Sequence, residues 1–137
     1  MLFRSSEKAG FTSGEPWLPL VPGHESVNVA AEEADPISML WLDRRLVALR
    51  RAHPALAIGE VRVVRVEGEV LVFERSYGGE RIAVMLNFGS TARALDLPET
   101  IGGTVVLAAI SGREGEVLGP RPTIAGDDAL VILLPPA

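Results

Sequence analysis

Cysteine is absent from the 137-residue chain, which excludes a disulfide framework, a thiolate nucleophile and a zinc–thiolate site. Lysine occurs once, at Lys8, and the thirteen basic side chains are outnumbered by eighteen acidic ones, leaving a net charge of −5. A general phosphate-backbone binder needs clustered cations, so no nucleic-acid partner is expected. The two histidines, His24 and His53, share no ligand spacing, and neither a metal nor a cofactor is expected. His24, in a loop, reads as exposed, and His53 as a cap on a helix end. The glycines match neither the dinucleotide fingerprint nor the phosphate loop, and no serine sits in a nucleophile elbow. No apolar run approaches the ~18 residues of a membrane span and the first ten residues hold no apolar h-region, so the expected location is cytoplasmic, with no membrane partner.

What is present is enough apolar material for a core. Hydrophobic residues make up 47% of the chain, and a domain of this length buries roughly 68% of its unfolded surface. Aromatic residues are scarce at 5%. In the C-terminal half only Phe73, Tyr77 and Phe88 could serve as a sugar platform, and Tyr77, beside Gly78-Gly79, is the one placed for exposure, although packing over the hairpin is the commoner fate of such a residue. The carboxylate pairs Glu32-Glu33 and Asp127-Asp128 read as solvated turns, since adjacent strand residues face opposite ways.

Three zones follow one another. Met1 to Ala34 is irregular, with Gly10, Gly14, Pro16, Pro19, Pro22 and Gly23, yet Phe3, Phe11, Trp17, Leu18 and Leu20 are spread through it. Flexible linkers are built from Gly and Ser, so this segment is expected to lie pinned against another surface. Asp35 as N-cap and Pro36 at the first helical position then predict a helix through Ile37–Ala52, stopped by Pro54. Its apolar residues occupy several sides, which calls for neighbours on several sides. From Glu60 onward the pattern is of strands: Glu60–Val66, Glu69–Ser76, Glu80–Phe88, Thr91–Leu97, Thr104–Ile110, an ill-defined piece within Gly115–Ala125, and Asp128–Leu134. Short turns at Glu67-Gly68, Gly78-Gly79 and Gly89-Ser90 favour antiparallel hairpins and a two-sheet sandwich. In the third candidate, Ile82, Val84, Leu86 and Phe88 alternate with Arg81, Ala83, Met85 and Asn87.

Several short strings carry a resemblance. Ala9-Gly10-Phe11-Thr12, Pro16-Trp17-Leu18-Pro19, Val27-Asn28-Val29, Leu46-Val47-Ala48-Leu49-Arg50, His53-Pro54-Ala55-Leu56, Phe73-Glu74-Arg75 and Val84-Met85-Leu86-Asn87-Phe88 stand in an order that resembles the C-terminal region of glycoside hydrolase family 13 α-glucosidases. The oligo-1,6-glucosidase, sucrose hydrolase and trehalose synthase group is the nearest in pattern. The resemblance is specific through Asn87 and weaker beyond Ser90. Where the family carries Pro-Met-Gln-Trp-Asp, Met1-Leu2-Phe3-Arg4-Ser5 stands here; that departure implies a natural remnant, a split-gene product or an excised piece.

The resemblance implies a mainly β fold. Residues 1–57 would be the last loop and last helix of a (β/α)8 barrel, and 58–137 an antiparallel β-sandwich of the α-amylase C-terminal type. It also implies no enzyme activity in this chain, because the family's catalytic carboxylates sit at the ends of barrel strands that precede this region. The expected role is support of a catalytic barrel, in cis or in trans. The alternative is a free-standing sandwich that binds an α-glucan, a protein or its own copy. The expected partner-facing side chains are Phe11, Trp17, Leu18, Ile37 and Trp41.

Overall fold

The structure, a computed structural model, describes residues 4–6, 8–10 and 12–136. Its elements run α1 (Val29–Ala34), α2 (Met39–Ala52), α3 (Pro54–Ile58), β1 (Glu60–Glu67), β2 (Val70–Tyr77), β3 (Glu80–Asn87), β4 (Arg93–Ala94), β5 (Gly103–Ala108), β6 (Val117–Leu118), β7 (Thr123–Ile124) and β8 (Asp128–Leu133). Met1–Arg45 and Leu46–Ala137 form two compact units, divided within α2. No helix among the described residues is long and apolar enough to cross a membrane.

In Met1–Arg45, α1 is an addition to the expected irregular segment. Asn28 starts it: its Oδ1 accepts from the Ala31 amide at 3.0 Å, while its Nδ2 donates to the His24 carbonyl at 2.9 Å. That double use of one amide side chain caps the helix and ties back the preceding turn. The Asp35 start of α2 is corrected. Asp35 accepts from the Ile37 amide at 3.0 Å within a turn, and Ser38 caps the helix, its Oγ facing the Trp41 amide and donating to the Glu32 carbonyl at 2.7 Å. Ser38 wins because one hydroxyl joins both helices. Glu32-Glu33 is likewise no idle solvated pair: Glu32 Oε2 accepts from the Leu40 amide at 2.9 Å, an anion at a helix N-terminus, and Glu33 binds Arg44 at 2.8 Å. His24 is largely enclosed rather than exposed, with Nδ1 3.5 Å from Glu25 Oε1.

Leu46–Ala137 is a sandwich of unequal sheets. Six strands lie in the order β1-β2-β3-β8-β5-β6, and β4 pairs with β7 in a second, two-stranded sheet; every pairing is antiparallel. The expected Thr91–Leu97 strand shrinks to Arg93–Ala94, and Gly115–Ala125 resolves into β6 and β7. Gly78 and Gly79 both have positive φ, the signature of the tight turn that suits strand twist.

Register decides which side chains share a face. Val72 lies opposite Met85 and Met85 opposite Leu130, while Glu74 pairs with Ala83 and Ala83 with Ile132. This inner face is closed by Leu95, Leu97, Ile101, Ile124 and Leu134, forming one buried core with Val70, Val72, Ala83, Met85, Leu130 and Ile132. The alternation expected in β3 is present, but its more apolar set faces away from the core. Ala83, Met85 and Asn87 point inward; Val84, Leu86 and Phe88 belong to the outer face, and Phe88 is 67% exposed.

Polar side chains lock the inner layer at both ends. Asn87, 2% exposed, donates to the carbonyls of Thr91 (2.9 Å) and Ala125 (2.8 Å) and accepts from the Gly89 amide. Asp128 opposite it is buried, not in a solvated turn, and accepts from the amides of Ile110 and Ala129. At the other end, Glu74 lies between Arg81 (2.7 Å) and Arg62 (2.5 Å).

Candidate docking surface

The outer face of the large sheet is built by the same alternation that fills the core. Val61 opposes Arg75, Val63 opposes Phe73, Val66 opposes Leu71, and across β2 and β3 Phe73 meets Val84 and Leu71 meets Leu86. One corner is covered. The short helix α3 sits there, capped at its N-terminus by Glu80, whose Oε2 accepts from the Ala55 amide at 2.9 Å while Oε1 lies 2.7 Å from His53 Nδ1. His53 is thus a link from α3 to the β2–β3 hairpin, not a cap on α2. Arg50 closes the other end, donating to the carbonyls of Leu56 and Ala57, and Arg75 donates to that of Gly59 at 2.9 Å. Gly59 permits the close turn into β1: a Cβ there would lie 2.4 Å from the Ala55 oxygen.

Under α3, Ala55 and Ile82 are fully buried; away from it the face is open. Val61, Val63 and Val66 are 61, 59 and 69% exposed, and Leu71, Phe73, Val84 and Leu86 are half-buried. A row of valines left in water on one side of a sheet is what an uncovered second layer looks like. The alternation in Val61-Arg62-Val63 is visible in the sequence, but alternation alone does not say which of the two sets faces the core. Arg62 turns inward to Glu74.

The side chains expected to face a partner lie in Met1–Arg45, where Trp17 and Ile37 are each 86% exposed, Leu18 is 56% and Trp41 is 37%. Phe11 lies outside the described residues. Trp41 is held by its own indole, which donates to the Glu33 carbonyl at 3.2 Å, and Arg44 stacks 4.9 Å from its ring centre. Ile37 and Trp41 sit beside polar clasps, at Asp35 and at Ser38 and Glu33, that fix the backbone there.

The buried and half-buried carboxylates have structural duties. Hydrogen bonds from Arg81, and after them Arg62, hold Glu74 below the usual carboxylate range against the opposing effect of burial. Hydrogen bonds from His53 and the Ala55 amide lower Glu80 in the same way. Among the described residues no three His, Cys, Asp or Glu side chains are grouped to hold a metal ion.

Two family models match consecutive stretches: the alpha amylase catalytic domain over residues 1–59, and the maltogenic amylase C-terminal domain over residues 61–133. The chain is 41% identical over 98 residues to a probable alpha-glucosidase of Rhizobium meliloti, covering 72% of this chain and 18% of that protein. It is 31% identical over 102 residues to an oligo-1,6-glucosidase of Parageobacillus thermoglucosidasius, covering 74% and 18%. The trehalulose synthase MutB of Pseudomonas mesoacidophila superposes with a TM-score of 0.89 at 27% identity, over 97% of this chain and 24% of that one. The chain therefore spans less than a quarter of these relatives.

Proposed function

Since the chain belongs to the maltogenic amylase C-terminal domain family and corresponds to the C-terminal region of a glycoside hydrolase family 13 α-glucosidase, we propose that it is a non-catalytic supporting module for a (β/α)8 barrel. The carrying observation is the open apolar face: Val61, Val63 and Val66 project from a sheet whose opposite side carries the buried core. Burying apolar surface is worth about 25 cal/mol per Å², so a barrel wall laid on this face would be stabilised together with the sandwich. Arg50, His53 and Glu80 keep α3 in place beside it and so set the height of the surface a barrel would meet.

The exposed side chains of Met1–Arg45, Trp17, Leu18, Ile37 and Trp41, are proposed as contacts to the same barrel. Catalysis would rest with the barrel's own carboxylates, as the family resemblance implies. That fits the fixed roles of Glu74, Glu80 and Asp128 here, each of which accepts from donors that hold the fold together.

The test is complementation. The barrel portion of the Rhizobium meliloti relative, expressed without its own C-terminal region, is mixed with this chain. Co-elution and a gain in α-glucosidase activity are expected, both abolished by Val61→Asp with Val63→Asp. Co-elution unaffected by the aspartates would move the interface elsewhere. A homodimer by light scattering that the aspartates dissolve would replace the barrel with a second copy.

A further inference from the structure

One edge of the large sheet is β1, eight residues long and paired, among the described residues, on its β2 side only. The opposite edge, β6, has two residues. A long exposed edge is a template for a further strand, and proteins usually spoil it with charge or a bulge. Here β1 has both. Arg62, Arg65 and Glu67 lie along it, and Val64 is an extra residue between Val63, opposite Phe73, and Arg65, opposite Val72. We propose that these features select a partner, and that β1 pairs antiparallel with β1 of a second copy across a two-fold axis at the bulge.

The bulge chooses the occupant. A regular strand laid along β1 falls out of step at Val64, where two residues stand against one. A second β1 carries the same extra residue. With the axis between Val64 and Arg65, the two irregularities face each other and the ladder resumes on both sides. Arg62 then lies opposite Glu67 of the copy, Val63 opposite Val66, and Val64 opposite Arg65, each pair occurring twice by symmetry. Faces agree at every step. Val63 and Val66 are on the outer face, across from Phe73 and Leu71; Arg62, Arg65 and Glu67 are on the inner one, across from Glu74, Val72 and Val70, and Val64 packs against the core. An axis between Val63 and Val64 loses that agreement. Outer-facing Val63 would meet inner-facing Val64, and Arg62 would meet Arg65, like charge on like.

Charge complementarity favours the same register. Within one chain Arg62 bonds Glu74 at 2.5 Å, and Arg65 bonds Glu67 at 2.6 Å. Across the junction the order becomes Glu74, Arg62, then Glu67 and Arg65 of the copy, with signs alternating throughout. Arg62 keeps further guanidinium donors beyond the one given to Glu74, and Glu67 keeps a second carboxylate oxygen beyond the one Arg65 holds. On the other face Val63 meets Val66 of the copy at about 4.5–5.5 Å between Cβ atoms. Pairing at the edge leaves the outward side of the valine row uncovered, so this inference does not rest on the barrel reading. The stretch 62–67 is short beside the roughly 800 Å² per partner of a standard interface, and a weak dimer, with a dissociation constant of about 100 μM, is expected.

Sedimentation of the 137-residue chain at concentrations on either side of that value is the test. Glu67→Arg sets arginine against Arg62 twice and should weaken the dimer about tenfold. The absence of cysteine permits a register test that does not depend on that variant. Val63→Cys and Val66→Cys chains, mixed and mildly oxidised, should form a mixed disulfide faster than either chain forms one alone, because directly opposed strand residues lie within disulfide reach. A chain that stays monomeric at the highest concentration, a dimer indifferent to Glu67→Arg, or a mixed disulfide from Val61→Cys with Val66→Cys in place of the expected one would overturn the proposal. A dimer that aspartates at Val61 and Val63 dissolve and Glu67→Arg does not would be a face-to-face pair.

Discussion

Among the described residues, eighteen of the nineteen buried apolar side chains belong to Leu46–Ala137, and only Ala9 to Met1–Arg45; Trp17, Ile37 and Met39 of the latter are 86, 86 and 70% exposed. The two units are therefore held by different forces. In Leu46–Ala137, residues far apart in sequence share one core, and each fully buried Val, Leu, Ile or Met contributes about 1.5–3 kcal/mol. Met1–Arg45 relies on clasps between near neighbours: Asn28 with His24 and Ala31, Ser38 with Glu32, Glu32 with Leu40, Glu33 with Arg44. Such hydrogen bonds are worth about 1 kcal/mol net. They set a shape without paying the entropy of a long chain, so Met1–Arg45 only presents a surface, whereas Leu46–Ala137 supplies the stability as well as the valine face.

The largest effect expected is in the core. Ile132→Ala, at a fully buried position between Ala83 and Val105, should cost about 4 kcal/mol in urea unfolding. A loss below about 1 kcal/mol would show the sandwich to be loosely packed and remove the contrast.

Next comes the ion triad at the end of the inner layer. Arg81→Ala leaves Glu74, 6% exposed, with Arg62 alone, and should cost about 3 kcal/mol. The pH dependence has a definite sign. Glu74 has a lower pKa folded than unfolded, so its contribution is complete above the unfolded value of about 4.3 and is lost as pH falls through the folded one. Glu74→Gln should flatten the acid limb of a stability–pH curve, and an unchanged limb would show the triad to be idle.

The sequence made the hairpins legible because alternation and the Gly78-Gly79 turn are local signals. It did not say which face of β3 is inner, since Ala83 and Met85 are no more apolar than Val84 and Leu86; that choice is made by Leu95, Leu97 and Ile101, supplied from a distant stretch. The same holds at Asp35 and Ser38. Both are good cap residues, and only the position of Glu32, on a helix the sequence did not announce, favours Ser38. Among the proposed surface side chains, Trp17 and Ile37 stood out as apolar residues without a pattern, whereas Val61, Val63 and Val66 were concealed by a pattern that suits a core equally well. Asn87 and Asp128 gave no signal, because a buried polar side chain is recognised by its partners, here the Thr91, Ala125 and Ile110 backbones.

A smaller effect should separate the units directly. Asn28→Ala removes the cap of α1 and should cost about 1 kcal/mol locally. Hydrogen exchange at the Ala31 and Glu32 amides should speed up accordingly, with the urea midpoint of the sandwich unchanged. A shift of both together would mean that the two units open as one.

The smallest effect carries the most meaning for the surface. Trp17→Ser and Ile37→Ser replace side chains that are 86% exposed, and substitutions at such positions usually fall within about 0.5 kcal/mol. Each variant should therefore unfold at the same urea concentration as the parent. An interface residue is silent in the free chain and costly in the complex, because its apolar area leaves water only when the partner arrives. The same substitutions should then weaken co-elution with the barrel partner in proportion to the area each loses. A clear loss of stability in the free chain would show that Trp17 or Ile37 is already packed in solution, and the distinction between a unit that stabilises and a unit that presents would fail at that residue.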